Sequence, residues 1–401
     1  MAPLIYLDHA ATTPLDERVL EAMLPYLRER WGNPSSLYSH GRVARRALDE
    51  SRDTVAQLLR CRPSEVLFTS GGTESDNLAL KGVAFARRQD GDHIVTTKVE
   101  HHAALRTCEW LEHKGGFRVT YVGVDKDGLI DLDELERAVG PGTILVSVMM
   151  ANNEVGTIQP VAEAAKIAKR HGATFHTDAI QAAGALELDP NSLGVDLLSL
   201  SGHKIYGPKG VGVLYVRRGT PLLADEHGGG QERGLRAGTE NVPAIVGMSE
   251  ALRLADEERP ARNEHDARLR DRLIQGILSS VTGARLTGHP TLRLPNSASF
   301  VFEETDGESI LMDLDQYDIC ASSGSACTSG TLEVSHVLTA LGLSDDLARG
   351  SVRLTTGRAT TDEGVEQLLA VMPDVVARVR SIMPMLTGTS TGAQEQAGVE
   401  R

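Results

Sequence analysis

Short apolar runs alternate with amphipathic helical patterns from about residue 64 to residue 216, and this rhythm limits the possible folds more than any other feature of the chain. The strand candidates are residues 66–69, 93–96, 118–122, 144–148, 174–177 and 197–200. Helical patterns fill the gaps, as in residues 132–139, which Asp131 is placed to cap, and residues 161–171. The alternation predicts an α/β fold with a mostly parallel central sheet flanked by helices.

The C-terminal part of the chain has a different pattern. A long, charged helical stretch runs from Ala244 to about Ser280, and Pro260 is expected to interrupt it and mark a domain hinge. Residues 297–302 and 352–354 then suggest strands separated by helices, which predicts a smaller α+β C-terminal domain. A chain of 401 residues suits two domains, and its 4% aromatic content fits layers of small side chains.

Charge and cysteine content exclude several classes of protein. The net charge of -14 and the lack of a basic stripe argue against nucleic-acid binding. Four cysteines without C-x-x-C spacing indicate neither a disulfide framework nor a zinc site, and they favour a reducing cytoplasm. There is no signal-peptide pattern and no run of apolar residues long enough to span a membrane. We therefore expect a cytoplasmic protein that does not bind membranes.

Lys204 ends an apolar run, in the sequence Ser201-Gly202-His203-Lys204, and a second apolar run begins at Gly210. The pattern predicts two strands joined by a tight polar loop. Partial burial there would favour a neutral amine, which can form a Schiff base with an aldehyde cofactor. Because most lysines are exposed surface residues, this interpretation depends on the neighbouring motifs.

A glycine turn containing Gly71, Gly72 and Thr73 follows the strand candidate 66–69 and precedes a helix. Free N–H groups and the helix dipole at such a turn favour an anion such as phosphate. The turn matches neither the P-loop nor the dinucleotide-binding motif. It could equally be an ordinary helix start, so alone it is a weak signal.

Asp178 stands at the carboxyl end of another strand candidate, where open α/β sheets bind ligands. A carboxylate there could keep a ring nitrogen protonated, as pyridoxal phosphate (PLP) requires. The alternative is that Asp178 caps the next helix. Gln181, one turn later, either donates to the phenolate oxygen of a cofactor or faces solvent.

His101 and His102 follow one strand candidate and Asn153 follows another, so all three are expected at the same sheet edge as Asp178 and Lys204. An imidazole can stack on an aromatic cofactor and transfer protons near neutral pH. Consecutive histidines at a helix start point apart, and no third ligand lies at suitable spacing, which argues against a metal site.

Cys327 lies in a segment of small residues, Ala321-Ser322-Ser323-Gly324-Ser325-Ala326-Cys327-Thr328-Ser329-Gly330. This context predicts an exposed thiol on a mobile loop, where a nucleophile or sulfur carrier can work. Cys61 and Cys108 fit buried, inert positions, and Cys320 fits a structural one.

Taken together and in this order, the motifs resemble those of the NifS/IscS-type cysteine desulfurases, in the class V branch of the fold-type I PLP enzymes. The resemblance covers nearly the whole chain. It is carried by Tyr6-Leu7-Asp8-His9-Ala10-Ala11-Thr12-Thr13-Pro14, Gly32-Asn33-Pro34-Ser35-Ser36, Ser201-Gly202-His203-Lys204, Ser323-Gly324-Ser325-Ala326-Cys327-Thr328 and Ser351-Val352-Arg353.

The resemblance implies a PLP site. Lys204 would be the Schiff-base lysine, Asp178 the partner of the pyridine nitrogen, and His101 the ring-stacking, proton-transferring histidine, with His102 a bystander. The residues implied to hold the phosphate are Gly72, Thr73, Ser201 and His203, and those implied to contact ring substituents are Asn153 and Gln181. Thr239 would reach the phosphate in a neighbouring subunit, which implies a homodimer.

The resemblance also implies the substrate and the reaction. Arg353 would clamp the carboxylate of L-cysteine, with Asn153 and Asn33 also on the substrate side. Cys327 would attack the substrate sulfur, leaving L-alanine and a persulfide that supplies iron–sulfur cluster assembly or another thiolation pathway through an acceptor protein. A selenocysteine lyase, another class V aminotransferase and a non-catalytic scaffold are the alternatives. Lys204 and Asp178 count against the scaffold.

The implied domain organisation is discontinuous. Residues 15–258 would form the large PLP-binding domain, and residues 1–14 with 259–385 the small domain that carries the cysteine segment. Residues 386–401 are small and polar and are expected to be a disordered tail. This tail does not resemble the segment with which well-studied members of the family dock an iron–sulfur scaffold, which leaves the acceptor open.

Overall fold

The structure is a computed structural model that describes residues 4–323 and 334–386. The strands are β1 (Ile5–Tyr6), β2 (Val66–Thr69), β3 (His93–Thr97), β4 (Arg118–Val122), β5 (Thr143–Ser147), β6 (Thr174–Asp178), β7 (Leu197–Ser201), β8 (Gly212–Val216), β9 (Ala284–Leu286), β10 (Ser297–Phe302), β11 (Ile319–Cys320) and β12 (Ser351–Thr355). The helices are α1 (Glu17–Arg28), α2 (Ser39–Leu58), α3 (Gly72–Ala86), α4 (His102–Trp110), α5 (Leu132–Ala138), α6 (Val161–Arg170), α7 (Pro190–Leu193), α8 (Val242–Ser280), α9 (Gly307–Asp315), α10 (His336–Ala340), α11 (Asp345–Arg349) and α12 (Asp362–Leu386).

Within the described residues, a seven-stranded sheet has the order β2-β8-β7-β6-β5-β3-β4. Strand β8 runs antiparallel to both of its neighbours, and the remaining pairs are parallel. The predicted strands and the mostly parallel sheet are therefore confirmed. The two strands predicted on either side of the Lys204 loop are β7 and β8, an antiparallel pair in which Ser201 lies opposite Gly212.

Helices cover both faces of this sheet. Val95 and Val146 belong to a hydrophobic cluster on one face, while the preceding residues Ile94 and Leu145 belong to a cluster on the other face. Successive residues of a strand point to opposite faces, so strands buried on both sides need continuous apolar runs. This requirement explains why those runs were visible in the sequence.

A second unit contains the antiparallel sheet β12-β10-β9 and the parallel pair β1-β11. Its hydrophobic core combines Leu7, Phe300 and Val352 with residues from α8 and α12. Because β1 pairs with β11, the first strand of the chain belongs to the C-terminal unit. The predicted boundaries at residues 14 and 258 stay a prediction.

Helix α8 corrects one expectation, because it continues through Pro260 without the predicted interruption. A proline in a helix removes one hydrogen bond and crowds the preceding turn. Here Leu252 and Ala255 before it pack into the core of the large sheet, and Leu269 and Leu273 after it pack into the second core. Packing at both ends offsets the local cost of the proline.

The order of strands brings several chain segments to one edge of the large sheet. Parallel strands β3, β5, β6 and β7 deliver the residues that follow their carboxyl ends to that edge. Across residues 4–323 and 334–386, none of the helices is both long enough and apolar enough to cross a membrane.

Candidate active site

A cavity of about 360 Å³ opens at this edge of the sheet. It is lined by Ala10, Ala11, Gly72, Thr73, His101, His102, Met149, Asn153, Glu154, Asp178, Ile180, Gln181, Ser201, His203, Lys204, His336 and Arg353. Ten of the residues that were assigned a role in the site from the sequence are in this set: Gly72, Thr73, His101, Asn153, Asp178, Gln181, Ser201, His203, Lys204 and Arg353. Its size and its convergent polar groups are typical of a small-molecule site.

Lys204 closes the short helical turn Gly202–Lys204 that follows β7. Its side chain is half-buried, and its Nζ donates to the carbonyl oxygens of Ala10 at 2.6 Å and Ala11 at 2.7 Å. These carbonyls belong to the segment that follows β1. The N-terminal segment therefore holds the amine at the cavity wall.

Asp178 forms part of the cavity floor at the end of β6. One carboxyl oxygen, Oδ1, accepts a hydrogen bond from the N–H of Ile180 at 2.9 Å, which fixes a turn and does not cap a helix, because residues 180–185 form turns. Burial raises the pKa of Asp178, while the Ile180 N–H and the charge of Lys204 act against that shift. The carboxyl group is thus both fixed in place and directed at a cavity that contains an amine.

His101 caps helix α4, and its Nδ1 accepts from the N–H of Ala103 at 3.1 Å. Burial lowers the pKa of His101 to about 4, and the nearby Lys204 acts in the same direction. The imidazole is therefore neutral at physiological pH. Because Nδ1 is an acceptor, the proton of the neutral ring is on Nε2.

His102 also lines the cavity, and its ring lies against that of His336 with 4.7 Å between the centroids. His336 Nε2 lies 3.0 Å from the carbonyl oxygen of Glu100. This contact holds the start of α10 against the start of α4.

An anion site is available at the start of α3. The residue before the helix, Gly71, provides no side-chain cap for the first N–H groups, and Gly72 and Thr73 line the cavity with Ser201 and His203. A Cβ at Gly72 would lie 2.1 Å from Cδ1 of Ile180, so a larger residue there would force the Ile180 side chain to move. Uncapped N–H groups at the positive end of a helix dipole favour a phosphate.

Arg353 stands at the other end of the cavity, almost fully buried on β12. Its Nη1 donates to the carbonyl oxygen of Asn153, and its Nη2 donates to Oδ1 of Asp8, both at 2.8 Å. Among the described residues, its buried Nε has no hydrogen-bond partner. Each Nη also carries a second N–H, which a ligand carboxylate in the cavity would engage.

Glu154 lies beside this guanidinium and accepts a hydrogen bond from Oγ of Ser335. Burial raises the pKa of Glu154 to about 7, although Ser335 and Arg353 favour the ionised form.

Two predicted site residues among those the structure describes, Asn33 and Thr239, do not line this cavity. Asn33 is exposed, and its Oδ1 accepts from the N–H of Ser35. Thr239 is exposed on the segment before α8. Cys327 lies outside the described residues. The described residues on either side of its segment are anchored at the cavity wall, since Ser322 pairs with Arg353 and Ser335 contacts Glu154.

Several lining residues were not identified from the sequence. Glu154 follows Asn153 directly and could have been inferred from that motif. Ala10 and Ala11 contribute backbone carbonyls, which composition does not reveal. His336 follows the cysteine segment, and no local pattern places it near His102.

Comparisons with known proteins agree with this geometry. The family model described as "Aminotransferase class-V" matches residues 5–368. A cysteine desulfurase IscS from Methanosarcina thermophila is 50% identical over 95% of this chain and 94% of its own length. A solved NifS-like protein is 40% identical with a TM-score of 0.88, covering 94% of this chain and all of its own.

A solved structure of SspA in complex with cysteine is 36% identical with a TM-score of 0.78, and it covers 89% of this chain and all of its own. The fold, the site and the extent of these matches define an aminotransferase of class V. The chain belongs to this family, in its cysteine desulfurase branch.

Proposed function

We propose that the chain is a PLP-dependent cysteine desulfurase that converts L-cysteine to L-alanine and receives the sulfur as a persulfide on Cys327. One observation carries the proposal. An amine, a buried carboxyl, a neutral imidazole, an uncapped helix start and a buried guanidinium all line the same cavity. Relatives that cover nearly the whole chain are named cysteine desulfurases.

The residues present fit PLP. Gly72 and Thr73 at the start of α3, with Ser201 and His203, would hold the phosphate. Asp178 would pair with the ring nitrogen, and the imidazole of His101 would stack on the ring. Asn153 and Gln181 would contact ring substituents, and Gln181 is already held by its bond from Nε2 to the carbonyl oxygen of Ala10. Lys204 would provide the amine.

When bound, PLP supplies an aldehyde for imine formation and a ring that stabilises negative charge at the substrate Cα. Lys204 would act as the base that removes the α-proton of the substrate. Asp178 holds the proton on the ring nitrogen, because a carboxylate favours the charged form of that nitrogen. His101, neutral and protonated at Nε2, is suited to donate a proton near the substrate.

Substrate binding is assigned to Arg353. Its Nη1 and Nη2 are held by Asn153 and Asp8, and each Nη carries a second N–H that would bind an incoming carboxylate. A guanidinium with a fixed orientation binds a carboxylate in one geometry. We propose that Asn33 also contributes to substrate binding.

Sulfur transfer is assigned to the Cys327 thiolate, which attacks Sγ of the substrate. The new S–S bond forms as the Cβ–Sγ bond breaks, and the electron pair of that bond stays on Cβ and takes up a proton. Return of the α-proton from Lys204 to Cα then completes the alanine. The anchoring of Ser322 and Ser335 at the cavity wall supports this assignment. Among the described cysteines, burial raises the pKa of Cys61 to about 12 and that of Cys320 above its usual value, which makes both poor nucleophiles.

We propose that the enzyme is a cytoplasmic homodimer that passes sulfur to an acceptor protein, first of all for iron–sulfur cluster assembly. Thr239 is exposed and outside its own cavity, as a residue that serves a partner subunit would be. A second opening, lined by Ser70, Gly71 and Lys209, lies beside the residues proposed to hold the phosphate. A threonine from a partner subunit would reach the phosphate through this opening.

The proposal is tested with the full-length protein, L-cysteine and a reductant. We expect a yellow protein that forms alanine and sulfide in equal amounts. A colourless protein that binds no added PLP would contradict the proposal. Formation of a keto acid would indicate an aminotransferase, and activity confined to selenocysteine would indicate a selenocysteine lyase.

Replacing Asp178 by asparagine is expected to weaken PLP binding about tenfold or more, because the ring nitrogen loses its anionic partner. In the wild type the pKa of Asp178 is raised, so the carboxylate is lost as the pH falls through that raised value. PLP affinity should therefore fall on mild acidification in the wild type and change little in D178N. Equilibrium dialysis against PLP measures both effects. The exposed Asp271 provides a matched control, D271N, which should behave as the wild type.

Replacing Arg353 by lysine is expected to raise KM for L-cysteine by about 10- to 100-fold with a smaller effect on kcat, because an ammonium cannot reproduce the fixed, planar donors. Steady-state kinetics of alanine formation measure both constants. The control is R349K, a change at an exposed arginine on α11. An unchanged KM in R353K would remove Arg353 from the substrate site.

A further inference from the structure

A buried acid that the proposed mechanism does not use lies in the layer beneath the cavity floor. Asp76 is on helix α3, and its side chain is completely buried. Among the described residues, neither of its carboxyl oxygens has a hydrogen-bond partner. An ionised carboxylate in such a place would be strongly disfavoured, because it has lost water and gained no donor.

The titratable groups that face Asp76 are His176 and Asp178 on β6 and Glu100 after β3. His176 and Asp178 are two residues apart on a strand, so they share the face of the sheet that α3 covers. His176 Nε2 lies 3.6 Å from Oδ1 of Asp76. Asp76 therefore has two other buried carboxyl groups near it and one histidine beside it.

His176 does not neutralise this cluster. Its Nδ1 lies 2.8 Å from Oγ of Ser147 and its Nε2 lies 3.0 Å from Oγ of Ser199, so both ring nitrogens are already engaged by hydroxyl groups. Burial lowers the pKa of His176 to about 3, which keeps the imidazole neutral. Ser199 lies near Asp76 and lowers its pKa, but burial and the charge of Asp178 outweigh this effect and the pKa stays well above its usual value.

The other two acids have donors that Asp76 lacks. Asp178 accepts from the Ile180 N–H and faces Lys204. Glu100 accepts through Oε1 from the hydroxyl of Thr97 and from the Met149 N–H, although burial still raises its pKa to about 8. When two neighbouring carboxyls compete for a proton, the one without donors keeps it.

We propose that Asp76 is a positioning residue that holds a proton beneath the cavity floor and so leaves the negative charge of the Asp76–Asp178 pair on Asp178. The consequence for PLP rests on the proposed function, since it is Asp178 that would face the ring nitrogen. The protonation state of Asp76 does not depend on that function, because it follows from burial and missing donors.

Infrared spectra of the full-length protein, with and without PLP, test the protonation state at neutral pH. The wild-type spectrum should contain a carboxylic-acid C=O band that is absent from Asp76→Asn. The control D271N should instead lose a carboxylate band, because Asp271 is exposed. Loss of a carboxylate band in D76N would overturn the proposal. Failure of D76N to fold would also overturn it, since asparagine has the shape and neutrality of a protonated aspartate.

PLP affinity tests the positioning role. D76N should bind PLP within about twofold of the wild type, whereas Asp76→Ala, which removes the buried polar group and leaves a gap under Asp178, should bind about tenfold more weakly. Equal weakening in both variants would contradict the role assigned to the neutral carboxyl. If the wild type itself bound no PLP, the proposed function would fail, while the infrared result would still decide whether Asp76 holds a proton.

Discussion

Replacement of Lys204 by alanine is expected to reduce kcat for alanine formation by about 10⁴-fold or more, because one side chain supplies both the amine that engages PLP and the base that removes the α-proton. The half-buried Nζ is held by two backbone carbonyls at the cavity wall, and no other lysine lines this cavity among the described residues. A neighbouring side chain therefore cannot take over the reaction.

Three measurements test whether the loss of activity in K204A comes from the missing amine. The visible absorption of the protein should shift in K204A, because PLP is then held without a bond to the chain. Alanine formation should be measured in a single turnover as well as at steady state. The control K169A changes an exposed lysine on α6 and should retain full activity. Retention of more than a small fraction of the activity in K204A would exclude Lys204 as the reactive amine.

Replacement of Cys327 by serine is expected to abolish sulfide release while PLP binding stays at the wild-type level, because a hydroxyl does not attack thiol sulfur to form a persulfide. Binding of L-cysteine should still change the visible spectrum of the holoenzyme, since Lys204, Asp178 and Arg353 are intact. The chain would then bind substrate and stop before sulfur transfer.

Cys61 provides the matched control for this variant. Cys61 is half-buried and its pKa is raised to about 12, so C61S should keep its activity. Full desulfuration by C327S would show that another group accepts the sulfur.

Much of the fold was visible in the sequence because a parallel sheet covered on both faces needs uninterrupted apolar strands. The same regularity located the site, since Asp178 ends a strand of that sheet and Lys204 and His101 each follow one. Their convergence in one cavity follows from topology, because parallel neighbours end at the same edge.

The parts that the sequence did not reveal depend on contacts between distant segments. Asp76 stands beside Ser75 in a polar stretch at the start of α3, which suggests an exposed helix face, yet both residues are fully buried against the sheet. His336 reaches the cavity only through the packing of α10 against the start of α4. Helix α8 passes through Pro260 because both of its halves are fixed in hydrophobic cores, which a local rule for proline cannot anticipate.

In the proposed function, two groups of cavity residues bind different anionic groups. The uncapped start of α3 favours an anion, and the guanidinium of Arg353 favours a carboxylate, in the same cavity as Lys204 and Asp178. Ser322, which pairs with Arg353, and Ser335, which contacts Glu154, flank the Cys327 segment.

The most direct test of the central claim is to locate the transferred sulfur after a single turnover with L-cysteine and no reductant. Trypsin leaves Cys320 and Cys327 on one peptide, because no Lys or Arg lies between them, so fragment ions must separate the two residues. One extra sulfur atom on Cys327, equal in amount to the alanine formed, is the expected result. Alanine formation with the sulfur on Cys320, or with no sulfur bound to the protein, would contradict the account.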